Sequence, residues 1–127
     1  MRIDQPSGAL TTPVTVVLNA LSVSSAIFVA DAAYQVTSVK CVWGVAGGAA
    51  AALTVEKLTS TTAPGSGTAL LTAAFDLTTT ANTVGTGTLT ATAADLLLAS
   101  GDRLGAKLTG VLTGLVGCSL AIILKKL

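Results

Sequence analysis

Apolar positions recur at every second residue along much of this chain, and the pattern is sharpest in its last third. Leu96 and Leu98 alternate into Ala99-Ser100-Gly101-Asp102. That quartet has turn chemistry: Gly101 can take a positive φ, and Asp102 can bond its own backbone. Beyond it, Leu104, Ala106, Leu108 and Gly110 fall on one face, with Arg103, Gly105, Lys107 and Thr109 on the other. A period of two marks a half-buried strand. Gly114 and Gly117 bracket a second turn, and from Cys118 an apolar run leads to Lys125 and Lys126. The stretch 95–127 therefore predicts a hairpin and a closing strand, with the earlier segments as partners.

Residues 1–12 read as an N-terminal arm, because Pro6, Ser7, Gly8 and Pro13 resist regular structure and termini are loose unless docked. Strands are predicted at 13–18 and 26–30, joined by a connection of undefined type. Within 34–45, Val39, Cys41, Trp43 and Val45 share one face, while Val36, Ser38, Lys40 and Val42 share the other. Trp43 is expected to anchor the core, since tryptophan carries a large apolar area. After a loop at 46–50, Ala51, Leu53, Val55 and Lys57 alternate as a strand, with Glu56-Lys57 as its solvated end. Residues 59–68 predict a polar connection containing a Pro-Gly turn. The strand at 69–77 puts Leu71, Ala73, Phe75 and Leu77 on one face. The strand at 84–92 sets a row of threonines opposite Leu89 and Ala91. The result is an all-β chain of about eight strands, with a single β-sandwich domain at 13–127. Close strand spacing with Gly and Thr turns is the pattern of sandwiches and barrels.

Composition adds a constraint on the surface. Of 127 residues, 51% are apolar and only 10% charged, against roughly 25% charged in an ordinary soluble domain. Such a chain leaves apolar surface uncovered, and contiguous apolar surface marks an interface. An obligate oligomer, a larger assembly or a membrane protein is therefore expected. The net charge of +1 gives no field to steer nucleic acid or anionic lipid. The membrane alternative rests on 108–124, which is uncharged, ends before two lysines and holds the Gly110/Gly114 pair of a helix-packing seam. The alternation through Leu104–Leu108 favours strands there instead. An apolar leader is not expected, because Asp4, Pro6 and Pro13 interrupt the N-terminus.

The chemistry of known sites is largely missing. The chain has no histidine, which removes Ser-His-Asp and Cys-His catalysis. Cys41 and Cys118 are far apart in sequence and are expected as small buried hydrophobes rather than a disulfide or zinc ligands. Asp4, Asp31, Glu56, Asp76, Asp95 and Asp102 are never neighbours. A calcium site at Asp76, Asp95 and Asp102 is conceivable, but turn-forming aspartates are the preferred explanation. Gly65 and Gly67 precede an apolar run, yet no lysine follows at phosphate-loop spacing. The chain is expected to be no enzyme, with no catalytic, cofactor-binding or metal residues and no small-molecule substrate.

The motif Leu98-Ala-Ser-Gly-Asp-Arg-Leu-Gly-Ala-Lys-Leu108, followed by a Gly-rich turn and an apolar last strand, resembles the penultimate hairpin of jelly-roll domains of the tumour necrosis factor and complement globular-head type. The wider pattern includes Leu53-Thr-Val-Glu-Lys-Leu58, Ala63-Pro-Gly-Ser-Gly-Thr-Ala-Leu-Leu71, Phe75-Asp-Leu77 and Ala81-Asn-Thr-Val84. It is similar to small bacteriophage virion proteins. The resemblance spans 34–127. It implies a jelly-roll-type antiparallel β-sandwich that forms a homotrimer, with a role as a capsid decoration (cement) or head-fibre protein. No functional residues carry over, because such proteins act through surfaces.

The leading expectation is thus a phage capsid cement protein, made in the host cytoplasm and located on the capsid surface, where it binds neighbouring major capsid subunits. One alternative is a fibre or tail-tip domain that binds a receptor or glycan. The other is a small membrane protein built on 108–124.

Overall fold

The computed structural model describes residues 11–18 and 24–127. Ten strands form two antiparallel sheets packed face to face. Sheet A runs β1 (Thr11–Leu18), β10 (Cys118–Lys126), β3 (Tyr34–Val42), with the short β7 (Gly85–Thr86) and β8 (Leu97–Leu98) both on the far edge of β3. Sheet B runs β2 (Ser25–Val29), β9 (Arg103–Thr109), β4 (Ala52–Leu58), with β5 (Thr68–Ala69) and β6 (Phe75–Asp76) both on the far edge of β4. Strand β1 pairs with β10, β2 with β9 and β3 with β8, whereas β4 pairs with β9, β5 and β6, and β7 pairs with β3. The expected antiparallel β-sandwich is therefore the fold.

The core lies between the sheets. Val36, Val39, Cys41 and Trp43 of the β3 segment, with Leu120, Ile122 and Leu124 of β10, meet Leu53, Val55, Leu104 and Ala106 of sheet B. Trp43 is buried as expected, and its indole N–H donates to the Thr79 carbonyl at 3.2 Å. Its polar handle is thereby satisfied inside an apolar layer.

Several expectations change. The turn at 99–102 is not the tip of a hairpin: β8 pairs with β3 in sheet A, whereas β9 belongs to sheet B. It is a corner between sheets. The Asp102 N–H donates to the Ala99 carbonyl at 3.0 Å, and the Ala99 N–H donates to the Asp102 carboxylate at 2.9 Å. Val36 points inward rather than with Lys40, because the β3–β10 register shifts between Ile123 and Leu124. A bulge of one residue reverses the alternation on either side of it.

The expected strand at 69–77 is split into β5 and β6, and that at 84–92 is shortened to β7; the described residues hold ten strands in all. The Leu70 N–H still donates to the Val55 carbonyl of β4 at 2.9 Å, but beyond it the chain turns away, buries Leu70 and Leu71, and bonds to 88–90. The Thr72 N–H donates to the Thr88 carbonyl at 2.9 Å and the Thr90 N–H to the Leu70 carbonyl at 2.8 Å. Sheet A and sheet B are stitched together along this side. Ala73, expected inside, is exposed.

Strand β1 starts at Thr11, two residues before the expected domain boundary; the rest of the expected arm lies outside the described residues. So does most of the connection after β1. Residues 108–124 form the end of β9, a turn and most of β10. The single helical element described is a 3-10 turn at Ala93–Leu96, and no described helix is long and apolar enough to cross a membrane.

Leu104 is fully buried, while Lys107 lies on the opposite face of β9. Leu104→Asp should prevent folding, because an unpaired buried carboxylate costs several kcal/mol after relaxation, against a total stability of roughly 5–15 kcal/mol. Lys107→Asp should melt within a few degrees of the parent. Thermal melts of both variants followed by circular dichroism check this, and a folded Leu104→Asp with an unchanged melt would refute the strand facing.

Candidate interaction surface

Thirteen residues of the chain carry charge, and Arg2 and Asp4 lie outside the described part. Eight of the other eleven gather at one end of the sandwich: Asp31, Glu56, Lys57, Asp95, Asp102, Arg103, Lys125 and Lys126. Strand register puts them there. The start of β3 meets the end of β10 at Tyr34–Lys126, and the end of β4 meets the start of β9 at Leu58–Arg103. Main-chain bonds between Ala30 and residues 101–102 carry the β2–β9 pairing on to this end.

The opposite end carries no charge in its three described loops, 43–51, 77–84 and 110–117. These loops hold one another through the main chain. Gly44 and Val45 N–H both donate to the Val116 carbonyl, at 2.8 and 3.0 Å, and the Val116 N–H returns a bond to Val45 at 3.2 Å. Gly48 N–H donates to Val111 and Val111 N–H to Ala49, at 2.8 and 2.9 Å. The third loop joins through Gly47 N–H to the Leu77 carbonyl, 2.9 Å, and Asn82 N–H to the Trp43 carbonyl, 2.7 Å. With the backbone groups paired among themselves, apolar side chains occupy the outside. Val45, Val84, Val111 and Val116 are 51%, 61%, 49% and 58% exposed. Asp76, at the base of this end, is occupied locally: its carboxylate accepts from the Thr78 N–H at 3.0 Å and the Thr78 hydroxyl at 2.5 Å. The Thr78 hydroxyl and then the backbone N–H hold the Asp76 carboxyl below its ordinary value.

The uncharged surface continues onto the outer face of sheet A. Pro13 and Thr15, Ala121 and Ile123, and Ser38 point outward by register, with Lys40 as the one charge mid-face. A shallow groove of about 170 Å³, lined by Lys40, Cys41, Val42, Val84, Ser119 and Ala121, joins this face to the loop end.

Sheet B is different on its outer side. Glu56 was expected at a solvated strand end but is 1% exposed. The connection after β4 folds back over it, and its two carboxylate oxygens accept from Gly65 N–H at 2.6 Å and Gly67 N–H at 2.8 Å. Arg103 holds the same loop from its other side by donating to the Ser60 and Thr62 carbonyls, at 3.0 and 2.8 Å. Lys57 turns to the carbonyls of Ala94 and Leu97, at 3.1 and 3.2 Å. These charges stabilise loops by hydrogen bonding to peptide groups. Alternation alone could not place Glu56; the polar loop nine residues downstream, with N–H groups to satisfy, was the available signal.

The remaining expected site residues are also accounted for. Asp76, Asp95 and Asp102 do not converge, and among the described residues no group of three or more His, Cys, Asp or Glu could hold a metal. Asp31 accepts from the Tyr34 hydroxyl at 2.5 Å, which lowers the Asp31 carboxyl and raises the Tyr34 phenol. Tyr34, Trp43 and Phe75 are buried, and Phe28 packs edge-on to Tyr34 at 5.9 Å between ring centres. Cys41 and Cys118 are free and buried. The chain matches no known protein family, no curated protein and no solved structure.

Gly110 has φ +81° and packs so closely on Ala50 that an added Cβ would lie 2.1 Å from the Ala50 carbonyl oxygen. Gly101 has φ +93° with open space around it. Gly101→Ala should cost about 1 kcal/mol from backbone conformation alone, and Gly110→Ala several times more, as it pries the two loops apart. Urea unfolding of the pair checks the ordering. Glu56→Gln replaces one acceptor by an amide that faces an N–H donor, so a loss of roughly 1–3 kcal/mol is expected. Faster amide exchange at Gly65 and Gly67 should accompany it.

Proposed function

We propose that this chain is a non-enzymatic structural protein of a virus particle, a bacteriophage capsid cement protein that assembles as a trimer and binds neighbouring major capsid subunits. The observation that supports this reading best is the charge-poor surface from the valine-tipped loop end onto the outer face of sheet A, where Lys40 is the one charge mid-face, set against a charged opposite end. Cementing requires buried area across several subunits, and the core of such an interface is depleted in charge. A surface of loops already bonded to one another loses little freedom on docking. In this reading the face of sheet A packs copies together, the loop end meets the capsid, and the charged end stays hydrated. The receptor- or glycan-binding alternative has less support, because three of the four aromatic residues are buried and the fourth packs against Tyr34.

Light scattering of the purified chain should return three times the 12.4 kDa chain mass. Purified particles should contain the chain in fixed proportion to the major capsid protein. A monomer at every concentration would overturn the trimer, and a few copies per particle would move the assignment to a fibre or tail tip.

A further inference from the structure

The two thiols stand apart from the surface argument. Cys41 lies within β3 and Cys118 begins β10, the strand beside it. Register pairs Cys41 with Leu120 and Val42 with Ser119, so Cys118 is diagonally across from Cys41. Both are buried, and their sulfurs are 3.7 Å apart. A disulfide needs about 2.05 Å. The gap is small enough for side-chain rotation and a slight strand shift to close. Two buried thiols pack adequately as small hydrophobes, but packing does not require two reactive sulfurs to face each other across adjacent strands.

We propose that Cys41 and Cys118 form a site of oxidative modification, a latent covalent staple that a small-molecule disulfide closes into one cross-strand bond. Cys118 reacts first, because it follows Gly117 at the start of a strand, and strand ends open before strand interiors. The Cys41 sulfur, 3.7 Å away, is placed to hydrogen-bond the Cys118 sulfur as it ionises. The Cys118 thiolate attacks one sulfur of the small disulfide, forms a mixed disulfide and expels one small thiolate. The Cys41 thiol then loses its proton and attacks the Cys118 sulfur, expelling the second. One disulfide is consumed and one formed. Two electrons pass to the reagent, which leaves as two thiols after taking up the two protons.

The position gives the bond a structural consequence. The loop 43–51 begins two residues after Cys41, and the loop 110–117 ends just before Cys118. The bond would clamp the base of the uncharged end and link positions 77 residues apart in sequence. A link of that span strongly restricts the unfolded chain.

The test uses the full chain in buffers of oxidised and reduced glutathione at increasing ratio, with acid quenching, alkylation and intact mass. The expected product is lighter by two hydrogens, takes up no alkylating reagent and melts roughly 5–15 °C higher. Cys41→Ser should instead keep one glutathione on Cys118 and show no such rise. Three results would overturn the proposal: unchanged thiols in the most oxidising buffer, glutathione retained on the wild-type chain, or a closed bond that lowers the melting temperature.

Discussion

The pairing of β10 between β1 and β3 is the constraint on which sheet A depends. Strand β1 bonds to β10 over its full length, from Thr11–Lys125 to Leu18–Cys118, and has no other partner among the described residues. Strand β3 holds β10 on the other side and otherwise carries only the two-residue strands β7 and β8. The inward residues Leu120, Ile122 and Leu124 thus sit mid-sheet over Leu53, Val55 and Leu104. The last strand of the chain completes both the sheet and the core. Contacts between such distant segments incur loop-closure entropy before they add stability, so this topology folds slowly compared with a local one.

Much of the strand content was legible because period-two alternation is a direct record of facing. Leu104, Ala106 and Leu108 of β9, and Val39 and Cys41 of β3 with Trp43 just after it, show it clearly. Partnership was not legible. The turn at 99–102 has the residues of a hairpin tip and serves as a corner between sheets, since turn chemistry specifies a reversal and not which strand waits on the far side. Val36 was misplaced because a bulge leaves no mark in the alternation itself. The segments around Leu71 and Leu89 have the composition of continuous strands. They are short because Leu71 and Leu89 bridge to each other between the sheets.

The candidate surface was legible only as a deficit of charge. Composition indicated that apolar area must remain outside, but its location follows from tertiary register, which brings eight charges to one end. Glu56 shows the same limit in reverse. A carboxylate on an alternating strand reads as hydrated until the chain supplies two peptide N–H groups that replace water.

The stitched side of the sandwich leaves β1 and β2 as the edges that face outward, and neither is a good template for another strand. Pro13 removes one donor from β1, and β2 is five residues long with a register irregularity between Ala26 and Phe28. Prolines, short length and bulges are the devices by which sheet proteins discourage edge-to-edge growth. A chain this rich in valine, leucine and threonine is therefore guarded against forming open-ended fibrils, and contacts between copies are directed away from the backbone edges and onto side-chain surfaces.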